Sequence, residues 1–150
     1  MQAPTSALEA NKAVLRRWFE EVWNLEHAEV IDELLAPDCE IHDGPVTVKG
    51  PAEFRVVHDR FRSAFTNIRF TLHEVIAEGD IVSMRCSSLV IHSGDGLGLP
   101  ATGKEVSSTG MAMVRIRDGK IAEVWQNWDM LGMMHQIEEK PLSKTYMVAE

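Results

Sequence analysis

The sequence lacks most of the features that would place it in a specialised class of protein. Only two of its 150 residues are cysteine, and no cysteine or histidine spacing indicates a zinc site. No apolar run reaches the length of a membrane span, and the first residues do not form a charged and then apolar signal peptide. We therefore expect a cytoplasmic protein whose cysteines stay reduced and which binds no metal ion.

Basic residues are also scarce. The chain has 15 lysines and arginines against 23 aspartates and glutamates, which gives a formal net charge of −8. Binding to nucleic acid or to an anionic membrane needs a basic surface, because both present negative phosphates. The charge balance therefore predicts neither kind of partner and leaves a small molecule as the expected ligand.

The length and the hydrophobic pattern of the first half predict one domain that begins with helices. A chain of 150 residues is long enough to bury a core and a cavity. Apolar residues recur at helical spacing in three segments before residue 66, and a short strand is expected between the second and third helices. We place the domain core at about 6–137 and a C-terminal tail at 138–150. The predicted elements are helices at about 6–24, 30–36 and 50–65 and a strand at 39–43.

The pattern of the second half predicts a β-meander. From residue 68 the hydrophobic period changes from helical spacing to two, and turn signals such as Asp-Gly separate the segments. Helices segregated from an antiparallel meander indicate the α+β class. A strongly curved sheet capped by helices on one face would enclose an apolar pocket. The predicted elements are strands at 68–78, 81–92, 104–117 and 121–128 and a short closing helix at 129–137.

Six segments in this order resemble the SnoaL-like polyketide cyclases, a family of the nuclear transport factor 2-like superfamily. The resemblance implies a cone-shaped, mostly antiparallel sheet with three N-terminal helices. It also implies a small hydrophobic substrate and a homodimer or homotetramer paired through the outer face of the sheet. The segments are LAPDCEIH (35–42), RSAFTN (62–67), IAEGDIVSMR (76–85), HSG (92–94), GLPATGK (98–104) and DGKIAEVWQNWD (118–129).

The activity implied by the resemblance is a cofactor-free cyclase that catalyses intramolecular aldol condensation of a polyketide-type ester by acid/base catalysis. Two other functions remain open, since one fold hosts many chemistries. The chain could be an isomerase or hydrolase that acts on a small hydrophobic ring compound. It could also be a small-molecule-binding module without catalysis.

Asp129 is the first candidate for the catalytic acid/base. It lies where the last predicted strand meets the closing helix, and characterised SnoaL-like cyclases have their general acid/base at the matching position. Burial beside indole and thioether groups would raise the pKa of such a carboxyl toward neutrality, where it can both take and return a proton. The alternative is that Asp129 only caps the closing helix.

Three polar residues at strand ends are further candidates. The resemblance implies that His42 and His92 could polarise the enolate oxygen, and that Asp43 matches the base aspartate of ketosteroid isomerases. Because side chains alternate along a strand, only one of His42 and Asp43 is expected to face the pocket. The alternatives are a solvated strand end for these two residues and a structural hydrogen bond for His92.

Arg85 is included among the candidate substrate-binding residues, but its neighbour departs from a related pattern. In limonene-epoxide hydrolases an arginine here acts with an aspartate two residues later, where this chain has Ser87. That departure argues against epoxide hydrolysis. The alternative for Arg85 is a cation on the surface or in a dimer interface.

The remaining pocket candidates are apolar. Characterised cyclases have polar pocket residues, including a histidine, on the strand before the Asp-Gly turn, where this chain has methionines. We therefore predict a more apolar pocket, with flexible methionines and tryptophans as its walls. The alternative is ordinary core filling. The candidates are Met111, Met113, Trp125, Trp128 and Met133.

Overall fold

The computed structural model describes residues 5–139, and it confirms the α+β class. Helices cover one face of a six-stranded sheet that is curved and does not close on itself. The helices are α1 (Thr5–Arg17), which continues into a π-helical segment (Trp18–Asn24), α2 (Val30–Leu34), α3 (Gly50–Ala64) and α4 (Met130–Glu138). The strands are β1 (Leu35–Asp43), β2 (Val46–Lys49), β3 (Phe65–Glu78), β4 (Ile81–His92), β5 (Glu105–Arg117) and β6 (Lys120–Trp128).

The sheet order brings the two halves of the chain together. The strands lie in the order β2-β1-β6-β5-β4-β3, and consecutive strands from β3 to β6 form the predicted antiparallel meander. The early strand β1 joins this meander by pairing parallel to β6. As a result, the end of β1 lies beside the end of β6, which places the early polar residues next to the late ones.

The two faces of the sheet differ sharply in burial. Along β4 and β5 the even-numbered residues are buried and most odd-numbered residues are exposed or half-buried. This is the alternation that a half-buried strand imposes on its side chains. We call the buried, helix-covered side the inner face and the opposite side the outer face.

The first helix differs from the single α-helix expected over residues 6–24. It changes to π-helical geometry at Trp18, and the wider turn places two adjacent pairs of large side chains on the buried side. These residues are Trp18, Phe19, Val22 and Trp23. The π-helical segment therefore contributes a broader aromatic surface toward the sheet than a regular helix would.

Three other differences concern the limits of elements. The strand expected at 39–43 begins at Leu35, where the backbone turns from helical to extended. The short strand β2 was not predicted, because its few residues follow a Gly-Pro turn. The expected tail at 138–150 lies outside the described residues from position 140 onward. Among the described residues, no helix is both long and apolar enough to cross a lipid bilayer.

Candidate active site

A cavity of about 300 Å³ lies between the inner face of the sheet and the helices. Most of its lining is apolar and comes from the π-helical segment, α3, α4 and the inner face of the strands. A mainly apolar cavity with a few polar groups is the usual character of a small-molecule site. The polar exceptions are Asp43, Arg60, Ser88, Ser108 and Gln126.

Aromatic rings form one wall of the cavity around Trp128. The indole of Trp128 lies 5.5 Å from the ring of Phe70 and 6.5 Å from that of Phe19, measured between centroids. It covers Gly110 on the neighbouring strand, where a Cβ atom would overlap the indole. Glycine at position 110 therefore makes room for this ring to lie flat against β5, which gives the cavity a planar aromatic surface.

Asp43 is the one carboxylate that lines the cavity in the described part of the chain. It ends β1, and the parallel pairing sets it beside Gln126 of β6. The Nε2 of Gln126 donates a hydrogen bond of 3.2 Å to Oδ2 of Asp43. Among residues 6–139, the other oxygen, Oδ1, has no hydrogen-bond partner. The side chain is thus held by an uncharged amide and keeps an oxygen that can accept a proton.

Asp129 does not line the cavity in this structure. Its side chain is exposed, and its Oδ1 accepts a hydrogen bond of 2.9 Å from the backbone N–H of Gly132, so that it caps α4. A Cβ atom at position 132 would overlap the carboxylate of Asp129, so a larger residue there would make that side chain shift. The structure thus shows Asp129 as a helix cap, which was the alternative role given for it above. Its catalytic role stays a prediction.

His42 lies on the outer face of the sheet, one residue away from Asp43 and on the opposite side. Its Nε2 is 2.8 Å from Glu123, its Nδ1 is 3.0 Å from Thr47, and its ring lies against Trp125. Glu40, His42 and Glu123 offer ligand atoms within 4.8 Å of one another, a set that could hold a metal ion on this outer face. Of the pair expected to compete for the pocket, Asp43 faces it and His42 does not.

His92 is fully buried but does not line the cavity. Its Nδ1 accepts a hydrogen bond of 3.3 Å from the backbone N–H of Thr102 and lies 3.0 Å from the hydroxyl of that residue. Its Nε2 is buried without a hydrogen-bond partner among the described residues. These contacts anchor the loop between β4 and β5, which is the structural role that the sequence left open for His92.

Three other predicted pocket residues also lie on the outer face, because their odd numbers on β4 and β5 point them away from the cavity. Met111 and Met113 are 62% and 51% exposed. Arg85 forms an ion pair with Glu74 of β3, which raises the pKa of the arginine and lowers that of the glutamate. Trp125 on β6 shares this face, whereas Trp128 and Met133 line the cavity as expected.

Comparison with known proteins assigns the chain to a protein family. The family model described as SnoaL-like polyketide cyclase matches residues 13–137. The chain belongs to the SnoaL-like polyketide cyclase family. No curated protein was found that matches the chain.

Solved structures agree with this membership. IdmH, a putative polyketide cyclase from Streptomyces antibioticus, is 27% identical with a TM-score of 0.75, over 85% of this chain and 98% of that one. A putative polyketide cyclase from Acidithiobacillus ferrooxidans is 26% identical with a TM-score of 0.76, over 88% and 96%. A putative SnoaL-like polyketide cyclase from Jannaschia sp. CCS1 reaches a TM-score of 0.83 over 94% and 100%, and at 22% identity it shows the shared fold.

Sequence reasoning missed four of the polar residues that line the cavity of this SnoaL-like chain. Gln126 could have been found, since it lies two residues before Trp128 on the same strand and therefore faces the same side. Ser88 and Ser108 sit at inward positions of strands whose alternation was predicted. Arg60 lies at an exposed position of α3, and its sequence context has no signal that distinguishes it from other surface cations.

Proposed function

We propose that this SnoaL-like protein catalyses an intramolecular aldol cyclisation of a polyketide-type ester, with Asp43 as the general acid/base. The observation that carries the proposal is a carboxylate in an apolar, aromatic-walled cavity. One of its oxygens is hydrogen-bonded to Gln126, and the other has no hydrogen-bond partner among the residues that the structure describes. Family membership supports the cyclase activity, and the position of the carboxylate in the cavity supports Asp43 as the acid/base.

The chemistry needs a single carboxyl group that both accepts and returns a proton. Asp43 removes a proton from the carbon between two carbonyl groups, and the resulting enolate carbon attacks a third carbonyl carbon elsewhere in the same molecule. A carbon–carbon bond forms, and the alkoxide oxygen takes the proton back from the carboxylic acid. A positioned acid/base of this kind contributes about 10²- to 10⁴-fold to a rate.

Gln126 acts as a positioning residue in this scheme. Its amide holds the Asp43 side chain at the cavity wall without adding a charge. The aromatic wall around Trp128 suits a flat polycyclic substrate, since aromatic rings stack favourably when they are offset.

Isomerisation is a second candidate, and the same observation favours it. The resemblance matches Asp43 with the base aspartate of ketosteroid isomerases, and this residue lines the cavity. Both reactions start with removal of a proton next to a carbonyl group, and they differ in whether the enolate forms a carbon–carbon bond or is protonated at another carbon. Product analysis therefore separates them.

The first prediction compares Asp43→Asn with Asp129→Asn. The substrate is a polycyclic aromatic compound with a β-keto ester on one side chain and an acceptor ketone on the neighbouring side chain. We measure deuterium exchange at the acidic carbon by NMR and ring closure by mass spectrometry, each above the uncatalysed rate. We expect Asp43→Asn to lower both rates by about 10²-fold or more. Asp129→Asn should leave them within a few-fold, because asparagine also caps helices.

The opposite pattern would transfer the acid/base role to Asp129, as the family resemblance implied. Loss of ring closure with retained exchange in the wild-type protein would favour isomerisation. Ligand binding with neither exchange nor closure would identify a binding module. Circular dichroism of both variants is the control, since either asparagine should leave the fold intact.

A further inference from the structure

Two serines face each other inside the cavity. Ser88 of β4 and Ser108 of β5 are directly paired across the two strands, and both point to the inner face. Each is only 5% exposed, and each lines the cavity. Their hydroxyl groups therefore stand side by side on an otherwise apolar surface.

The protein leaves these hydroxyls almost without hydrogen-bond partners. In the described part of the chain, Ser88 makes no side-chain hydrogen bond, and Ser108 reaches only its neighbour's carbonyl, that of Thr109, at 3.5 Å. That distance is at the limit of a hydrogen bond. Neither oxygen is among the sealed, unpartnered polar atoms of the described residues, so both hydroxyls open onto the cavity. A bound molecule can therefore supply the hydrogen-bond partner that the protein does not.

The serine pair and Asp43 lie in different parts of the cavity. Gln126, which holds Asp43, is paired with Ala112 on β5. Ser108 is four residues from Ala112, which corresponds to about 13 Å along the strand. Between these two polar positions the inner face presents the indole of Trp128 above Gly110. The cavity thus has two polar positions separated by an aromatic surface.

We propose that Ser88 and Ser108 form a subsite for a carbonyl or phenolic oxygen at the end of the substrate distant from the reacting carbon. This inference rests on the proposed function, because it takes Asp43 as the reacting end. The substrate class that fits is a flat bicyclic or tricyclic aromatic compound with oxygen functions at both ends. Both hydroxyls can donate to one such oxygen, since a carbonyl oxygen has two lone pairs.

The test measures binding rather than turnover, so that it is independent of the acid/base assignment. The probes are 2,6-dihydroxyanthraquinone, which has a phenol at each end, and anthracene, which has no oxygen, and binding is followed by quenching of tryptophan fluorescence. We compare the wild-type protein with the Ser88→Ala/Ser108→Ala variant. Ser87→Ala, a serine on the outer face, is the matched control.

We expect the double variant to weaken binding of the dihydroxy probe at least ten-fold and to leave binding of anthracene unchanged or tighter. Ser87→Ala should bind both probes as the wild type does. The melting temperature of the unliganded double variant should stay close to that of the wild type, because the described residues give these hydroxyls no hydrogen bond shorter than 3.5 Å to lose.

Three results would overturn the subsite. The first is that the double variant loses affinity equally for both probes, and the second is that it loses affinity for neither. The third is that the wild-type protein does not prefer the oxygenated probe. Failure of the proposed function gives a different result. If deuterium exchange survives in Asp43→Asn, the acid/base assignment is wrong, but the wild-type protein should still prefer the oxygenated probe.

Discussion

At the scale of single residues, His58 is the buried titratable group that links α3 to the π-helical segment. It is 3% exposed and lies 4.9 Å from the Trp23 ring, between centroids. Its Nδ1 is 3.1 Å from Asp59, and its Nε2 accepts a hydrogen bond of 3.2 Å from Arg62. Burial lowers the pKa of His58, the nearby positive charges of Arg62 and Arg55 lower it further, and Asp59 opposes them.

This depressed pKa predicts that the protein loses stability as the pH falls. The unfolded histidine takes up a proton near pH 6.5, whereas the folded one resists it. The unfolding free energy therefore decreases by about 1 kcal/mol for each pH unit below about pH 6.5. The loss stops once the pH is below the pKa of the folded protein. Urea unfolding at pH 7 and pH 5 should show a smaller decrease for His58→Gln than for the wild type.

His27→Gln is the control for that comparison, since His27 is exposed. It should lose as much stability between the two pH values as the wild type does. An identical loss in His58→Gln would mean that this histidine takes up its proton equally in the folded and unfolded states. Because Arg62 also donates to the carbonyls of Val22 and Trp23, the aromatic wall of the cavity depends on the same contacts.

At the scale of elements, α4 covers part of the cavity with Met130 and Met133 and depends on Asp129 at its start. We predict that Asp129→Ala lowers the unfolding free energy by about 1 kcal/mol, because the N–H of Gly132 loses its acceptor. Asp129→Asn should be close to the wild type. Chemical denaturation of the three proteins measures this, and equal stability of the alanine variant would show that α4 does not need the cap.

The elements themselves could largely be predicted from the sequence, and the site only in part. Alternating residues and the turns at Gly79 and Gly119 define β3 to β6, because a two-residue period and turn chemistry are local properties. The alternation also implied that Met111 and Met113 share one face of the sheet. The sequence did not show whether the odd- or the even-numbered residues face inward, since both sets on β5 include apolar residues.

Two features of the site depend on tertiary structure and have no local signal. The pairing of Asp43 with Gln126 follows from the parallel contact of β1 with β6, which a hydrophobic period does not report. The π-helical turn at Trp18 keeps the same apolar spacing as an α-helix at its start, so the sequence pattern does not distinguish them. Both features bring cavity-lining residues together, and both became apparent only from the folded chain.

At the scale of the whole molecule, the outer face of the sheet predicts self-association. Met111 and Met113 are exposed there, and Met113 is paired with Trp125. Leu89 is exposed farther along the same face, through which the resemblance implies pairing. We expect a homodimer or homotetramer, and we expect Met111→Lys/Met113→Lys to raise its dissociation constant at least ten-fold, because buried charges without partners oppose association. Analytical ultracentrifugation measures the change.

Val56→Lys is the matched control for that experiment. Val56 is exposed on α3, away from the sheet, so the new charge should leave the assembly unchanged. A wild-type protein that sediments as a monomer at micromolar concentration would contradict the prediction. If the assembly forms through the outer face, Glu40, His42 and Glu123 lie on the associating surface.

The parallel pairing of β1 with β6 also determines when the protein can acquire its site during folding. Asp43 and Gln126 are 83 positions apart, so a nascent chain has synthesised almost the whole meander before its first strand can find its neighbour. Contacts between residues so distant in sequence carry a large entropic cost of loop closure and form slowly. Competence to bind and react would therefore arise last, when the earliest and latest strands meet, and a folding intermediate that contains only the hairpins of β3 to β5 would have no paired carboxylate.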